Sequence, residues 1–445
     1  MSASAEIIRA ETTVAERVLK VRGGNRLSGE VKIGGAKNAA LKAMAACLLT
    51  DEDMHLHNMP MISDVFAMKA LLEVFGAQVA IDEARKVVSV RAAEIVRTEA
   101  PAEHFSATRA SVVVAGPMLA RAGEISFAGP GGDQIGSRPI DIHLDGFRRL
   151  GAKVVEEETM VVARASALVG TLIYLDYPTH TGTENIMMAA CLAQGTTMIA
   201  NACAEPEVIW LGELLNRMGA RISGLGTPTI VIEGVGKLHG TSMICIPDRL
   251  EAGTFAIASV ITGGEVRLEG VIEPHMLPVS EKLRQMGAEI WFRPNRMLLR
   301  PAGSLRPVKI QTLPFPGFPT DQQATMLPLL TQANGTSELQ ERVYEDRLRH
   351  AHELMKMGAS VDILHQDANG NPVFPTARVH GPSRLHGARV SALDIRAGVS
   401  LVLAGLVADG ETVIANVGHI DRGYANFVEK LASLGADLED TGNPG

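Results

Sequence analysis

One short mark recurs six times along the chain. An apolar helical end is followed by Gly-Ala, then one residue, then an aliphatic one. The copies fall at Gly76-Ala77, Gly151-Ala152, Gly219-Ala220, Gly287-Ala288, Gly358-Ala359 and Gly435-Ala436. Their glycines are separated by 75, 68, 68, 71 and 77 residues, a near-constant period. Glycine takes the left-handed conformation that ends a helix at low steric cost, so each copy reads as a helix C-terminus leading into a strand. A second turn glycine precedes five of the copies: Gly123, Gly195, Gly264, Gly335 and Gly410, with Asp51-Glu52-Asp53 in the first unit. Each unit of about 70 residues therefore holds two helices and several strands, and six units divide three plus three.

That period is too long for ankyrin or leucine-rich repeats, and the strands exclude all-helical solenoids. The stretch from Ala39 to Leu49 is apolar nearly all round, the pattern of a buried helix. The expectation is an α/β chain in which buried helix pairs pack against outward sheets.

The formal net charge is −8, from 42 basic and 50 acidic residues, which argues against nucleic acid or an anionic membrane as partner. Aromatics are scarce (11 Phe, 4 Tyr, 2 Trp), which disfavours base stacking. Cys47, Cys191, Cys203 and Cys245 form no C-x-x-C pair and sit among small apolar residues, so they read as reduced core thiols in a cytoplasmic protein. Residues 1–17 are charged, with no apolar core segment, and read as a polar extension rather than a signal peptide. No apolar run reaches membrane-spanning length.

Against that negative balance, four motifs concentrate glycine and charge. Gly34-Gly35-Ala36-Lys37-Asn38 precedes the apolar helix, where backbone amides, the helix dipole and Lys37 favour an anion; an ordinary helix start with a solvated lysine is the plainer alternative. Residues 129–139 form a glycine loop carrying Asp133 and Arg138, and Ser137-Arg138 stands where a P-loop requires Lys-Ser/Thr. Asp321 follows a proline-rich loop and is positioned to cap the next helix. Acid–Arg elements end in Arg347, Arg396 and Arg422, one per C-terminal repeat; they either pair locally or converge on a small polyanion. His55/His57 and His350/His352 lack metal-ligand spacing, and neither G-x-S-x-G nor G-x-G-x-x-G occurs.

With these residues in hand, the chain resembles the enolpyruvyl transferase family over about residues 18–445. The resemblance is carried by Gly35-Ala36-Lys37-Asn38, Thr108-Arg109-Ala110-Ser111, Pro130-Gly131-Gly132, Ile135-Gly136-Ser137-Arg138-Pro139, Glu184-Asn185, Pro247-Asp248-Arg249, Phe318-Pro319-Thr320-Asp321, Asp394-Ile395-Arg396 and Asp421-Arg422-Gly423-Tyr424. The branch acting on shikimate 3-phosphate carries Lys-Ser where Lys37-Asn38 stands, which disfavours that substrate. The resemblance implies a two-domain inside-out α/β barrel, each domain built of three βαβαββ repeats with pseudo-threefold symmetry. Domain one would be 37–246, and domain two 18–36 joined to 247–445.

It further implies transfer of the enolpyruvyl group of phosphoenolpyruvate to the 3-hydroxyl of UDP-N-acetylglucosamine, the first committed step of peptidoglycan synthesis. No metal, organic cofactor or obligate protein partner is implied. Lys37, Asn38, Arg138, Arg347, Arg396 and Arg422 match phosphoenolpyruvate contacts. Asn38, Arg109, Arg138, Pro139, Ile140, Asp141, Ile142, Thr179, His180, Thr320, Asp321 and Val343 match nucleotide-sugar contacts. Asp321 is the expected general base and Asp133 the expected acid at C3, with Lys37, Arg396 and Arg422 completing the catalytic set.

Asp133 is the main departure, since most of the family carries Cys there. A carboxylic acid donates a proton when burial and a bound trianion raise its pKa, yet is a poor nucleophile towards the epoxide of fosfomycin. Insensitivity to that antibiotic is expected. Thr179-His180-Thr181-Gly182 replaces a commoner Ser-Val-Gly-Ala, with His180 either on the diphosphate or structural. Asp346 replaces Asn beside Arg347, where it is expected to blunt that charge, and Ser63-Asp64 lacks a lysine of some members. Two readings stand beside the main one: transfer to another nucleotide such as UMP, and a silent homologue that binds a nucleotide sugar.

Overall fold

The computed structural model describes residues 17–442 apart from Gln134, Ala302, Asp367 and Ala368. The expected extension, residues 1–17, lies outside this span except for Arg17, whose guanidinium pairs with Asp421 and Asp440.

The six Gly-Ala glycines all end helices, with φ between +93° and +109°. Among the turn glycines, Gly123, Gly195, Gly335 and Gly410 also take positive φ. The third turn differs: Gly263, not Gly264, takes the left-handed conformation, at φ +63°. A Cβ on Gly264 would lie 2.0 Å from the Leu27 carbonyl oxygen, so that glycine is required by close approach instead.

One unit shows the repeat in full. Strand Leu172–Tyr174 leads into helix His180–Ala190, strand Thr196–Ala200, helix Pro206–Arg217 and the hairpin Arg221–Ser223 with Thr229–Glu233. The two helix-linked strands run parallel and the hairpin joins antiparallel. Strand burial alternates along Thr196–Ala200 and Thr229–Glu233, so each sheet turns one face inward. Residues Lys309–Gly381 repeat the plan.

Three units borrow a strand from elsewhere in the chain. Ser242–Ile244 lies parallel to Asp53–His57, and Ser28–Lys32 lies parallel to Glu265–Glu269. Leu19–Arg22 inserts between Glu411–Ala415 and Asp437–Asp440. Among the described residues only the sheet around Glu124–Phe127 has three strands, with a Glu99–Ser126 bridge at its open edge.

The helices are unequal partners. One of each pair is sequestered: Arg249–Ile261 and Ile395–Gly405 are buried along their whole length, and Lys37–Ala46 at all but Asn38. Small residues let these inner helices touch. Gly116 N–H donates to Asn185 Oδ1 at 2.7 Å, and a Cβ there would lie 2.2 Å from the Asn185 carbonyl oxygen. The other helix of each pair, such as Ser63–Val74, is only half-buried, which revises the expectation that both are hidden.

Two separate hydrophobic cores result. One gathers residues between Ala36 and Cys245; the other joins Leu19–Ile33 to residues 252–434. Each fully buried phenylalanine, such as Phe147 in the first core and Phe255 in the second, contributes roughly 2–3 kcal/mol. The chain crosses between cores twice, side by side: Ala36 N–H donates to the Ile246 carbonyl at 2.8 Å, and Asp248 N–H to Gly34 at 2.8 Å. Among the described residues no helix is long and apolar enough to cross a membrane.

Candidate active site

Both crossings open onto one cleft between the cores, with a volume of about 240 Å³. Its walls carry Lys37, Asn38, Arg109, Asp133, Arg138, Thr179, His180, Thr320, Asp321, Val343, Arg347, Arg396 and Arg422. Cations cluster here although the chain as a whole is acidic.

Lys37 begins its helix, whose cap residue Ala36 has no side chain to cap it. Its ammonium lies 2.8 Å from Asp64 Oδ2. Burial lowers the Lys37 pKa, and the charges of Arg396 and Arg422 lower it further against the pull of Asp64. Asp64 also accepts from Thr108 Oγ1 at 3.1 Å and from Arg422 Nε at 3.1 Å. Burial pushes its carboxyl up, but Lys37 and Arg422 outweigh this and hold it below the usual range. Arg422 Nη1 reaches across to Asp133 Oδ1 at 2.9 Å. The expected C3 acid is therefore the ion-pair partner of an expected phosphate ligand.

Asp321 caps nothing: the short turn Thr320–Gln322 and the helix Gln323–Leu330 have no side-chain cap. Its carboxylate accepts from Arg347 Nη2 at 2.6 Å and lies 3.7 Å from Arg396 Nη2. Burial opposes its charge, yet Arg347, Arg396 and Arg249 hold it far below the ordinary carboxylate range. Arg347 also donates to Thr320 Oγ1 at 2.8 Å, turning to Thr320 and Asp321 rather than to the neighbouring Asp346. Thr320 in turn donates to Glu341, which also receives Thr312 Oγ1 and the Val343 amide. Arg396 stacks 5.0 Å from the Tyr424 ring centroid. Two guanidinium nitrogens, Arg347 Nε and Arg396 Nη1, are buried with no acceptor among the described residues.

The three arginines of the acid–Arg elements line one cleft. Asp394 caps the Ile395–Gly405 helix and Asp421 pairs with Arg17, which frees Arg396 and Arg422 for the cleft.

The glycine loop reaches over to the second core. Ser137 N–H donates to Glu345 Oε1 at 2.6 Å, and Asp346 N–H to the Ile135 carbonyl at 3.2 Å. Tyr344 lies under both Arg138 and Arg347, at 5.5 and 5.4 Å. Arg109 donates to the Arg138 and Pro139 carbonyls, and burial with the Arg138 charge lowers its pKa to about 10. Pro139, Ile140, Asp141 and Ile142 do not line the cleft; Asp141–Arg149 is the helix that follows the loop.

Thr179 caps helix His180–Ala190 by accepting from Gly182 N–H at 3.4 Å. His180 Nε2 lies 3.3 Å from Glu184 Oε1, while Lys42 Nζ lies 3.4 Å from Oε2. Burial disfavours the imidazolium, but Glu184 outweighs it and raises the His180 pKa. His180, Glu205 and Glu207 bring possible metal-ligand atoms within 4.8 Å, yet Arg249 already bridges both carboxylates, at 3.0 Å to Glu207 Oε1. A guanidinium in that position supplies the positive charge a metal would.

Sequence reading missed Asp64, Lys42, Glu205, Glu207 and Glu341 as site residues. No local spacing marks them, because each is defined by a distant cation or hydroxyl. Cys203 also lines the cleft, with its thiol pushed up by burial and by Glu205.

The pattern of the EPSP synthase (3-phosphoshikimate 1-carboxyvinyltransferase) family matches residues 21–431. A UDP-N-acetylglucosamine 1-carboxyvinyltransferase 2 of Carboxydothermus hydrogenoformans is 48% identical over 421 residues, 94% of this chain and 98% of that protein. A UDP-N-acetylglucosamine 1-carboxyvinyltransferase of Magnetococcus marinus is 48% identical over 95% of this chain and 99% of its own length. Among solved structures, the enolpyruvyl transferase NikO of Streptomyces tendae superposes with a TM-score of 0.85 at 27% identity, covering 96% of this chain and 99% of NikO. EPSP synthase of Acinetobacter baumannii shares the fold, with a TM-score of 0.72 at 18% identity over 96% of this chain and 100% of that one. The chain belongs to the EPSP synthase family, the enolpyruvyl transferases.

Proposed function

We propose that the chain transfers the enolpyruvyl group of phosphoenolpyruvate to the 3-hydroxyl of UDP-N-acetylglucosamine, releasing phosphate. The observation that carries this reading is the acid–cation array at Asp321: a carboxylate between Arg347 and Arg396, whose Nε and Nη1 still lack acceptors. Relatives named for this reaction at 48% identity support the acceptor.

In the first step the sugar oxygen bonds to C2 of phosphoenolpyruvate, its proton passes to Asp321, and C3 gains a proton from Asp133. In the second step the C2–O bond to phosphate breaks, C3 returns its proton to Asp133, the double bond reforms, and the proton held by Asp321 leaves with phosphate. Lys37, Arg138 and Arg422 take the phosphate; Arg347 and Arg396 take the carboxylate and stabilise charge at C2. Their charges now depress the basicity of Asp321. Neutralising them with the bound trianion raises it, so substrate binding readies the base.

Asn38, Arg109, Thr179, His180, Thr320 and Val343 are assigned to the nucleotide sugar, with Pro139, Ile140, Asp141 and Ile142 engaging through a change in the glycine loop. The two cores support domains of 37–246 and of 18–36 joined to 247–445. A cytoplasmic role in cell-wall synthesis, and insensitivity to fosfomycin, follow from the same reading.

The deciding assay is phosphate release from phosphoenolpyruvate with UDP-N-acetylglucosamine or UMP as acceptor. Release with the sugar nucleotide alone is expected. Release with UMP alone, or with neither, would overturn the proposal.

A further inference from the structure

A second cavity, of about 1040 Å³, lies at the two crossings and shares no residue with the catalytic cleft. The crossings explain the division. Residues 30–33 and Ser242–Ile244 precede the crossings and line this cavity; Lys37 and Arg249 follow them and line the cleft. Each cavity thus has walls from both cores, so movement of one core against the other reshapes both.

The lining is cationic against the balance of the chain: Lys32, Arg85, Lys86, Arg217 and Lys430 face one acid, Glu30. Glu30 is held by Arg267 at 2.9 Å, Lys430 is paired with Glu251, and Arg85 lies 3.7 Å from Asp82. Lys32, Lys86 and Arg217 have no side-chain partner among the described residues. Lys86 is held at φ +54°, a conformation uncommon for a lysine, by a turn whose carbonyl accepts from Met59 N–H at 3.0 Å. Beside these cations Ile244 is 68% exposed, an apolar shelf in a charged recess. Unpaired like charges in a concave site focus a positive potential. The apolar shelf and the volume suit a ligand with an organic body as well as several negative charges.

We propose that this hinge cavity binds a small polyanion of the nucleoside polyphosphate class, and that its occupancy changes the affinity of the catalytic cleft. Because both cavities span both cores, a ligand favouring one arrangement of the cores is coupled to the other site, and the coupling is reciprocal.

The test is calorimetric titration of metal-free ATP into three full-length proteins: wild type, the Lys86→Ser/Arg217→Ser double variant, and Arg396→Ala in the cleft. Wild type and Arg396→Ala are expected to bind with Kd below about 1 mM, and the double variant at least about tenfold more weakly. Equal binding by the double variant, loss in Arg396→Ala alone, or no binding by wild type would overturn the site. A second titration measures UDP-N-acetylglucosamine affinity with and without ATP. A shift in wild type that is absent from the double variant is expected; no shift in wild type overturns the coupling. Only this second arm rests on the proposed acceptor, so failure of that reading leaves the first arm standing.

Discussion

Asp64 and Asp133 divide one arginine between them, and that division makes both residues testable. Asp64 holds Lys37 at 2.8 Å as well as Arg422 at 3.1 Å. Replacing it with alanine leaves a buried ammonium without its nearest counter-charge, at a cost of about 3 kcal/mol. The Lys37 pKa, already lowered, falls further, so the alkaline limb of kcat/KM for phosphoenolpyruvate moves to lower pH in Asp64→Ala. A pH–rate profile beside a urea melt reads both effects; an unmoved limb removes Asp64 from control of Lys37. At Asp133 the expected outcomes are loss of turnover by at least about 100-fold in Asp133→Ala and gain of time-dependent fosfomycin inactivation in Asp133→Cys. A thiol at this position, beside Arg422, is favoured as thiolate, whereas a carboxyl group attacks an epoxide poorly. Rapid inactivation of wild type would refute the assignment. Lys37, Asp321, Arg396 and Arg422 were legible because glycine, proline or repeat position framed them. Asp64 was not, since its meaning lies in Lys37 and Arg422, and Arg422 is 358 residues away.

At the scale of elements, the Gly-Ala marks were legible because their conformation favours glycine. All six glycines adopt positive φ, which a side chain resists by roughly 1 kcal/mol. Two of them separate backbone strain from crowding. A Cβ on Gly151 would find its nearest neighbour, the Ala167 carbonyl oxygen, at 3.9 Å, whereas one on Gly76 would meet Val96 Cγ2 at 2.9 Å. Gly151→Ala is therefore expected to lose about 1 kcal/mol, and Gly76→Ala measurably more, in urea midpoint at constant slope. Equal losses would show that the Val96 contact relaxes freely. The inequality of the helix pairs was less legible. Ser63–Val74 carries apolar residues enough for burial, but Phe66 is exposed because only one face meets the core. The cap at Asp321 failed for a related reason: Arg347 and Arg396 offer its carboxylate charge-assisted partners, which a backbone amide does not match.

At the scale of the molecule, sequence period implied three plus three units, while the borrowed strands were invisible to it. Leu19–Arg22 completes the last sheet across about 400 residues, a pairing that no local pattern encodes. What holds the two cores around the cleft is also long-range, and mostly ionic: Arg249 to Glu205 and Glu207, and Arg422 to Asp64 and Asp133. Burial raises the Glu207 pKa, but Arg249 and His180 outweigh it and bring it to about 2, against an ordinary 4.5. A depressed carboxylate pKa stabilises the folded state above its unfolded value and ceases to do so as pH falls through the folded one. Asp64 follows the same sign. The Glu207 contribution is thus intact above about pH 5 and lost as pH falls towards 2, and that of Asp64 declines with falling pH in the same direction. Because each pair joins the cores rather than lying within one, acid weakens their union before it weakens either hydrophobic interior. Calorimetry is expected to give one transition near neutral pH and two below about pH 3, with Glu207→Gln resolving two already at higher pH. A single transition at every pH, in both proteins, would mean that the crossings and loop contacts alone hold the cores together.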